Sequence, residues 1–317
     1  MSSPERFDKK WNFEYNKLLM LKEKDQKKAY IYASIAILLW STVATVFKLT
    51  LKYTGYSELL LLSVFFSFIA LSLVVSVEKK WRLVLDLTKK DIISAALLGF
   101  LNPFLYYFLI FRAYAVLPAQ IAQPLNQIWG VVIVLMSIPL LKQKIGIKAI
   151  AGVIVSFFGV VILSTGGNFS FVNIKEPLGV IFALLSSVVW SLYWILNTKS
   201  KKDPVILLLI NFFAGLIFAI IYCSIFLKIG NIPIKAFYGS LYIGFFEMGL
   251  TFLFWLKALK YSVTTAKVSI LIYLAPFLSL ILIHYVLGEK ILFSSLTGLI
   301  FIISGILISR TDKKAQS

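Results

Sequence analysis

The sequence predicts an all-α membrane protein in which ten transmembrane helices form two inverted five-helix repeats around a central cavity. Three observations predict it. The 317 residues are 60% hydrophobic with a mean hydropathy of +0.89, whereas a soluble domain is about 45–50% apolar, so lipid must be the solvent for most of this surface. Apolar runs recur at the length of about 20 residues that a helix needs to cross a hydrocarbon core. Patterns in the first half of the chain also return in the second at a nearly constant offset.

Residues 1–28 come first, as a basic tail with no signal-peptide core. Trp11, Phe13, Tyr15, Leu18, Leu19 and Leu21 alternate there with lysines, a mixture that suits an anionic membrane surface and a solvated tail equally well. Ten spans follow at 29–51, 57–77, 92–114, 119–141, 147–164, 177–197, 204–227, 236–257, 263–287 and 291–309. Runs this long and this continuously apolar exclude a β-barrel. The net charge of +18 sits in connectors and termini and forms no folded basic face, which argues against nucleic acid. With the N-terminus in the cytoplasm, the inside segments hold 25 of the 32 Lys and Arg residues. Both termini are therefore expected to be cytoplasmic, in a multi-pass protein of the cell membrane surrounded by membrane lipids. Cys223 alone forms no disulfide framework, and His284 has no metal-ligating neighbours in the sequence.

The repeat is read from matched positions. Trp40-Ser41 returns as Trp190-Ser191, offset by 150 residues. Gly99 and Arg112-Ala113 return as Gly244 and Lys257-Ala258, offset by 145. Lys144-Ile145, Gly152 and Gly159 return as Lys290-Ile291, Gly298 and Gly305, offset by 146. Five spans per half is an odd number, so the second half must enter the membrane inverted, a plan common among secondary transporters. The expected organisation is a tail at 1–28, a first repeat at 29–164, an extracytoplasmic linker at 165–176, a second repeat at 177–310 and a cytoplasmic tail at 311–317. Asn168-Phe169-Ser170 in the linker fits a glycosylation sequon.

Residues 257–291, KALKYSVTTAKVSILIYLAPFLSLILIHYVLGEKI, and their counterpart FRAYAVLPAQIAQPLNQIWGVVIVLMSIPLLKQKI at 111–145 resemble the EamA type of the drug/metabolite transporter superfamily. The resemblance extends over nearly all of 29–310. Lys142-Gln143 stands where Gly288-Glu289 stands in the second half. Asn126-Gln127-Ile128-Trp129-Gly130 is similar to the Asn-Tyr-x-Trp-Pro pattern of the amino-acid exporter branch, without its Tyr and Pro. The resemblance implies ten helices and a cavity lined by spans 1, 3, 4, 6, 8 and 9.

Polar groups are costly in hydrocarbon and belong on interior faces. Span 1 carries Ser34, Ser41, Thr45 and Lys48 along one face, with Trp40 beside it. Span 3 offers Asn102 and Tyr106, one turn apart. Span 4 places Gln120, Gln123, Asn126 and Gln127 on one face with Trp129 beside it, and so many amides on one helix demand partners. Span 6 has Ser187, Trp190, Ser191, Trp194 and Asn197 at helical spacing; span 8 has Glu247, Thr251 and Trp255; span 9 has Ser269 and Tyr273. Single Ser and Thr residues commonly bond their own helix, and the small residues Gly152, Gly159, Gly298 and Gly305 suit close helix packing. The candidate solute-lining set is Trp40, Ser41, Asn102, Tyr106, Gln123, Asn126, Gln127, Trp129, Trp190, Ser191, Trp194, Glu247 and Tyr273.

These residues suit a small-molecule solute: amides and hydroxyls bond a zwitterion, while Trp and Tyr give apolar or cation–π contact. The expected function is a secondary transporter, exporting amino acids or similar small polar metabolites, with a proton or another ion as candidate coupling partner. A carrier of phosphorylated metabolites or nucleotide sugars is the alternative. It would want several deep Lys or Arg side chains, and Arg112 and Arg310 lie at span ends. A non-transporting receptor or scaffold is a further alternative. No paired carboxylates or His-Asp cluster point to an enzyme, and no cofactor or metal is expected.

Overall fold

The computed structural model describes residues 25–141, 146–167, 176–197, 200, 202–227, 231–262, 268 and 270–311. The basic tail up to residue 24, Lys142, Lys144, Asn168, Lys199, Lys201, Lys267, Ser269 and the last six residues lie outside that set. Every regular element among the described residues is helical. The longer ones, in chain order, are α1 (Gln26–Leu51), α2 (Tyr56–Val77), α3 (Lys89–Val116), α4 (Ala119–Leu140), α5 (Ile147–Thr165), α6 (Pro177–Asn197), α7 (Pro204–Phe226), α8 (Ile234–Tyr261), α9 (Leu274–Leu287) and α10 (Phe293–Arg310). Among the described residues seven helices, α1 to α4 and α6 to α8, are long and apolar enough to cross a membrane, and shorter apolar stretches lie at Ile150–Leu163, Leu271–Leu287 and Phe293–Ser309. Large apolar side chains such as Phe157, Ile225, Phe226 and Phe293 are 62–82% exposed on the outer surface. Water would penalise such a belt, whereas lipid does not.

Local chemistry explains where the helices start and bend. Asp25 caps α1 through the Lys28 amide, Thr88 and Asp91 form a capping box on α3, and Asp203 caps α7 ahead of Pro204. Burial opposes ionisation of Asp203, but the hydrogen bond from Lys80 at 2.8 Å and the Val205 and Ile206 amides outweigh it. Its pKa therefore falls below the ordinary aspartate value. Lys80–Asp203 and Lys202–Asp91 tie the α2–α3 connection and the start of α3 to the α6–α7 connection.

Two helices carry π-helical interruptions at mid-length. In α3 a π-helical segment runs from Phe100 to Leu105, and Asn102 within it is extended at φ −146°, ψ 119°. Pro103 accounts for this, because proline supplies no amide and pushes the preceding residue out of the helical region. In α8 the π segment is Ile243–Leu250, and Thr251 Oγ1 bonds the Phe246 carbonyl there. Glycine lets each interruption press against a neighbour. A Cβ on Gly99 would lie 2.8 Å from the Ala214 Cβ of α7, and one on Gly244 would lie 2.6 Å from the Phe66 Cβ of α2.

The α5–α10 pair is a second close approach. Gly152 faces Gly305, Gly159 faces Gly298, and Ser156 between them donates to the Ile302 carbonyl at 3.1 Å. A Cβ on Gly159 would sit 2.6 Å from the Gly298 carbonyl oxygen, and rigid backbone cannot yield to it. Gly159→Val should therefore cost about 1–3 kcal/mol by overpacking. It should lower the melting temperature of the detergent-purified protein, whereas Phe157→Leu, on the exposed side of α5, should not. Equal melting temperatures for the two variants would contradict this account of the contact.

Candidate functional site

A cavity of about 120 Å³ opens between α1, α3, α4, α6, α8 and α9. Trp40, Ala44 and Phe47 reach it from α1 at helical steps, and Tyr106, Ile110 and Tyr114 do so from α3. Helix α4 is broken: its first segment ends at Asn126, Gln127 and Ile128 form a turn, and Trp129 starts the next segment. Pro124 lacks the amide that would continue the ladder. The break presents Gln123, Asn126, Gln127 and Trp129 together on the cavity wall, where Trp190, Glu247, Ile272, Ala275 and Pro276 complete it.

The wall is held by specific bonds. Asn126 Oδ1 accepts from Tyr106 Oη at 3.2 Å, and its Nδ2 donates to Ser186 Oγ at 2.8 Å, joining α3, α4 and α6. Glu247 is 8% exposed, and its Oε1 accepts from Tyr107 Oη at 3.2 Å. Its Oε2 has no hydrogen-bond partner among the described residues. The Tyr106 ring lies 4.6 Å from Trp190. Phe252 stands between the two repeat-equivalent tryptophans, 6.0 Å from Trp40 and 5.7 Å from Trp190.

The structure brings together Trp40, Tyr106, Gln123, Asn126, Gln127, Trp129, Trp190 and Glu247 from the candidate set. The other five stand off the wall. Ser41 bonds the Leu38 carbonyl of its own helix, and Ser191 bonds the carbonyls of Ser187 and Trp129. Asn102 is fully buried beside Tyr193 and Asn211, facing α7. Trp194 packs on Phe252 behind Trp190, and Tyr273 is buried in the main core. Tyr107 and Ser186, which hold Glu247 and Asn126, are absent from the candidate set. A tyrosine next to Tyr106 and one serine among several carry no sequence signal that separates them from ordinary packing.

One end of the bundle is organised by charges that leave the cavity alone. Lys48 Nζ donates to the Tyr114 and Leu117 carbonyls at the end of α3, 2.7 Å each. Glu289 accepts from the Ala119 and Gln120 amides at the start of α4, 3.0 and 3.3 Å. These are the favourable charges for the two helix ends. Gly288 closes α9 in the left-handed conformation at φ 71°, which aims Glu289 across the gap. His284 bonds the Glu289 carbonyl through Nδ1. Gln120 also serves this end: its Nε2 donates to the Lys290 carbonyl, and its Oε1 accepts from Leu292 N and Ser295 Oγ. Arg112 lies over Phe182, 4.5 Å from the ring, with Tyr56 and Phe108 near it. Among the described residues no group of His, Cys, Asp and Glu is arranged to hold a metal.

Two amides on one helix thus have different tasks. Gln120→Ala strands several buried groups, each worth about 1–3 kcal/mol, and should lower the melting temperature by several degrees. Gln123 Oε1 has no partner among the described residues, so Gln123→Ala should leave the melting temperature near that of the parent. Thermal denaturation of both variants in one detergent checks the contrast.

The family model of the EamA-like transporter family matches residues 27–165 and again 177–311. An uncharacterized transporter of Clostridium kluyveri is 31% identical over 188 residues, 55% of this chain and 58% of that protein. One of Archaeoglobus fulgidus is 28% identical over 181 residues, 56% of this chain and 62% of that protein. The uncharacterized transporter YyaM of Bacillus subtilis is 25% identical over 175 residues, 53% and 56% of the two chains. The chain thus spans less than two thirds of the length of these curated relatives. A solved crystal structure shares the fold, with a TM-score of 0.63 at 19% identity over 90% of this chain and 96% of the other.

Proposed function

The chain belongs to the EamA-like transporter family, and from that premise we propose that it is a secondary transporter moving amino acids or similar small polar metabolites across the cytoplasmic membrane, most naturally outward. The observation that carries the reading is the cavity itself. Its wall combines amides, aromatic faces and one carboxylate from six helices of both halves, the composition of a site that binds a small polar solute. No Lys, Arg or His is among its lining residues, which disfavours phosphorylated cargo.

The same proposal includes ten spans in two inverted five-helix repeats. Several contacts support it. The offset that relates Gly152 to Gly298 also relates Gly159 to Gly305, and the contacts cross over: Gly152 meets the equivalent of Gly159, and Gly159 meets the equivalent of Gly152. Such reciprocity is what a two-fold axis between antiparallel repeats requires. The interruptions of α3 and α8 fall at matched positions, each leaning by a matched glycine on α7 or α2. Discontinuous helices at mid-depth are where inverted-repeat transporters bind their solutes.

Orientation is tested by cysteine labelling after Cys223 is replaced. Ser170→Cys in the link between α5 and α6 should react with an impermeant maleimide added to intact cells, and a cysteine at position 317 should not. The opposite pattern would invert the proposed topology. Transport is tested in proteoliposomes with a panel of labelled amino acids. Gln123→Ala should reduce flux about tenfold or more while folded yield stays within twofold, an effect of order 1.4 kcal/mol, and Asn126→Ala, which also breaks the ties to Tyr106 and Ser186, should reduce flux and folded yield together. Unchanged flux in both variants would reassign the α4 face to helix packing.

A further inference from the structure

The charge on the cavity wall has one sign. Glu247 is its single ionisable carboxylate, and the cations that reach inward among the described residues are engaged elsewhere, Lys48 on the α3 carbonyls and Arg112 on the rings of Phe182, Tyr56 and Phe108. The carboxylate is more than nine-tenths buried, takes a hydrogen bond from Tyr107 on Oε1, and has the Trp40 side chain within reach but no cationic partner among the described residues. Burying an ionised carboxylate without a countercharge is costly. A cation supplied by the cargo removes that cost, and an anionic cargo adds to it.

The rest of the wall agrees with a cation. Trp40, Tyr106 and Trp190 line the same cavity, and aromatic faces attract organic ammonium groups. Gln123 Oε1 is a further acceptor with no partner among the described residues. Asn126 is bonded through both of its amide atoms to Tyr106 and Ser186, so its side chain is fixed as part of the wall. The volume of about 120 Å³ lies well below the roughly 300–1,000 Å³ of drug-sized sites, which suits a small cargo.

We propose that this cavity selects a small organic ammonium ion, held through its N–H groups by Glu247 and Gln123 and through its charge by the faces of Trp40, Tyr106 and Trp190. A carboxylate on the cargo is not needed for recognition and weakens it. This rests on the transport reading of the cavity and narrows its cargo from amino acids and similar polar metabolites to amines, with amino acids as the weaker ligands.

The test uses the full chain in detergent and four probes of matched size: butylammonium, 1-butanol, butyrate and 2-aminobutyrate. Binding is read from tryptophan fluorescence, since Trp40, Trp129 and Trp190 line the cavity. Butylammonium should bind at least about tenfold more tightly than 1-butanol or 2-aminobutyrate, from a charge-assisted hydrogen bond and cation–π contact together, and butyrate should not bind. Glu247→Gln should weaken butylammonium by about tenfold and leave 1-butanol unchanged. If that variant does not fold, the ranking of the probes on the parent protein decides alone. Tighter binding of butyrate or 2-aminobutyrate than of butylammonium overturns the proposal, as does a Glu247→Gln protein with unchanged ranking, or no binding of any probe. Flux measurements separate this failure from that of the transport reading. Flux of 2-aminobutyrate that excess butylammonium does not inhibit sinks ammonium selectivity and leaves transport standing. Butylammonium binding with no flux of any probe keeps the selectivity and sinks transport.

Discussion

The constraint on which the structure depends is that hydrocarbon supplies no hydrogen bonds, so every backbone group within it must be satisfied by the protein. A continuous helix meets that demand alone. An interrupted helix meets it only where other protein surrounds the break or where the break lines a wet cavity. The interruptions of α3, α4 and α8 follow this division. Those of α4 and α8 bear the amides and the carboxylate of the cavity, and that of α3 is covered by α6 and α7 through the Gly99–Gly215 approach and the Tyr193–Asn211 pair. Irregular backbone is tolerable in both settings, and two of the three breaks lie on the cavity wall.

The same constraint explains what was legible in the sequence. Apolar runs, their order and the polar faces on them are direct consequences of lipid as solvent, so helix positions could be read from composition and spacing. Trp40 and Trp190 could be paired from the repeat offset alone, and they reach one cavity on either side of Phe252. The offset also pairs Asn102 with Glu247, yet the two part company in space. Pro103 turns Asn102 into an extended residue facing α7, whereas Glu247, with no proline beside it, keeps its helical path and faces the cavity. Sequence symmetry relates positions; a single proline can redirect a side chain.

Helical spacing also grouped Gln120 with Gln123, Asn126 and Gln127, and the group proved to hold two kinds of residue. Gln120 is satisfied by the α9–α10 loop, and the others reach the wall. What separates them is depth along the helix, which a face-by-face reading ignores. The glycines and serines of α5 and α10 serve each other across a close contact.

The two ends of the bundle differ in a way the repeat conceals. At the α3–α4 turn, Lys48 caps the end of one helix and Glu289 the start of the next, so the turn carries a full charge on each helix terminus. The positions equivalent by the repeat offset, Gln143 and Thr198, carry neutral side chains and lie outside the described residues. At the opposite end the described charges pair with each other across connections, Lys80 with Asp203 and Lys202 with Asp91. Charge is thus distributed so that each end has its own electrostatic closure, while the wall between them keeps one buried carboxylate and no described countercharge.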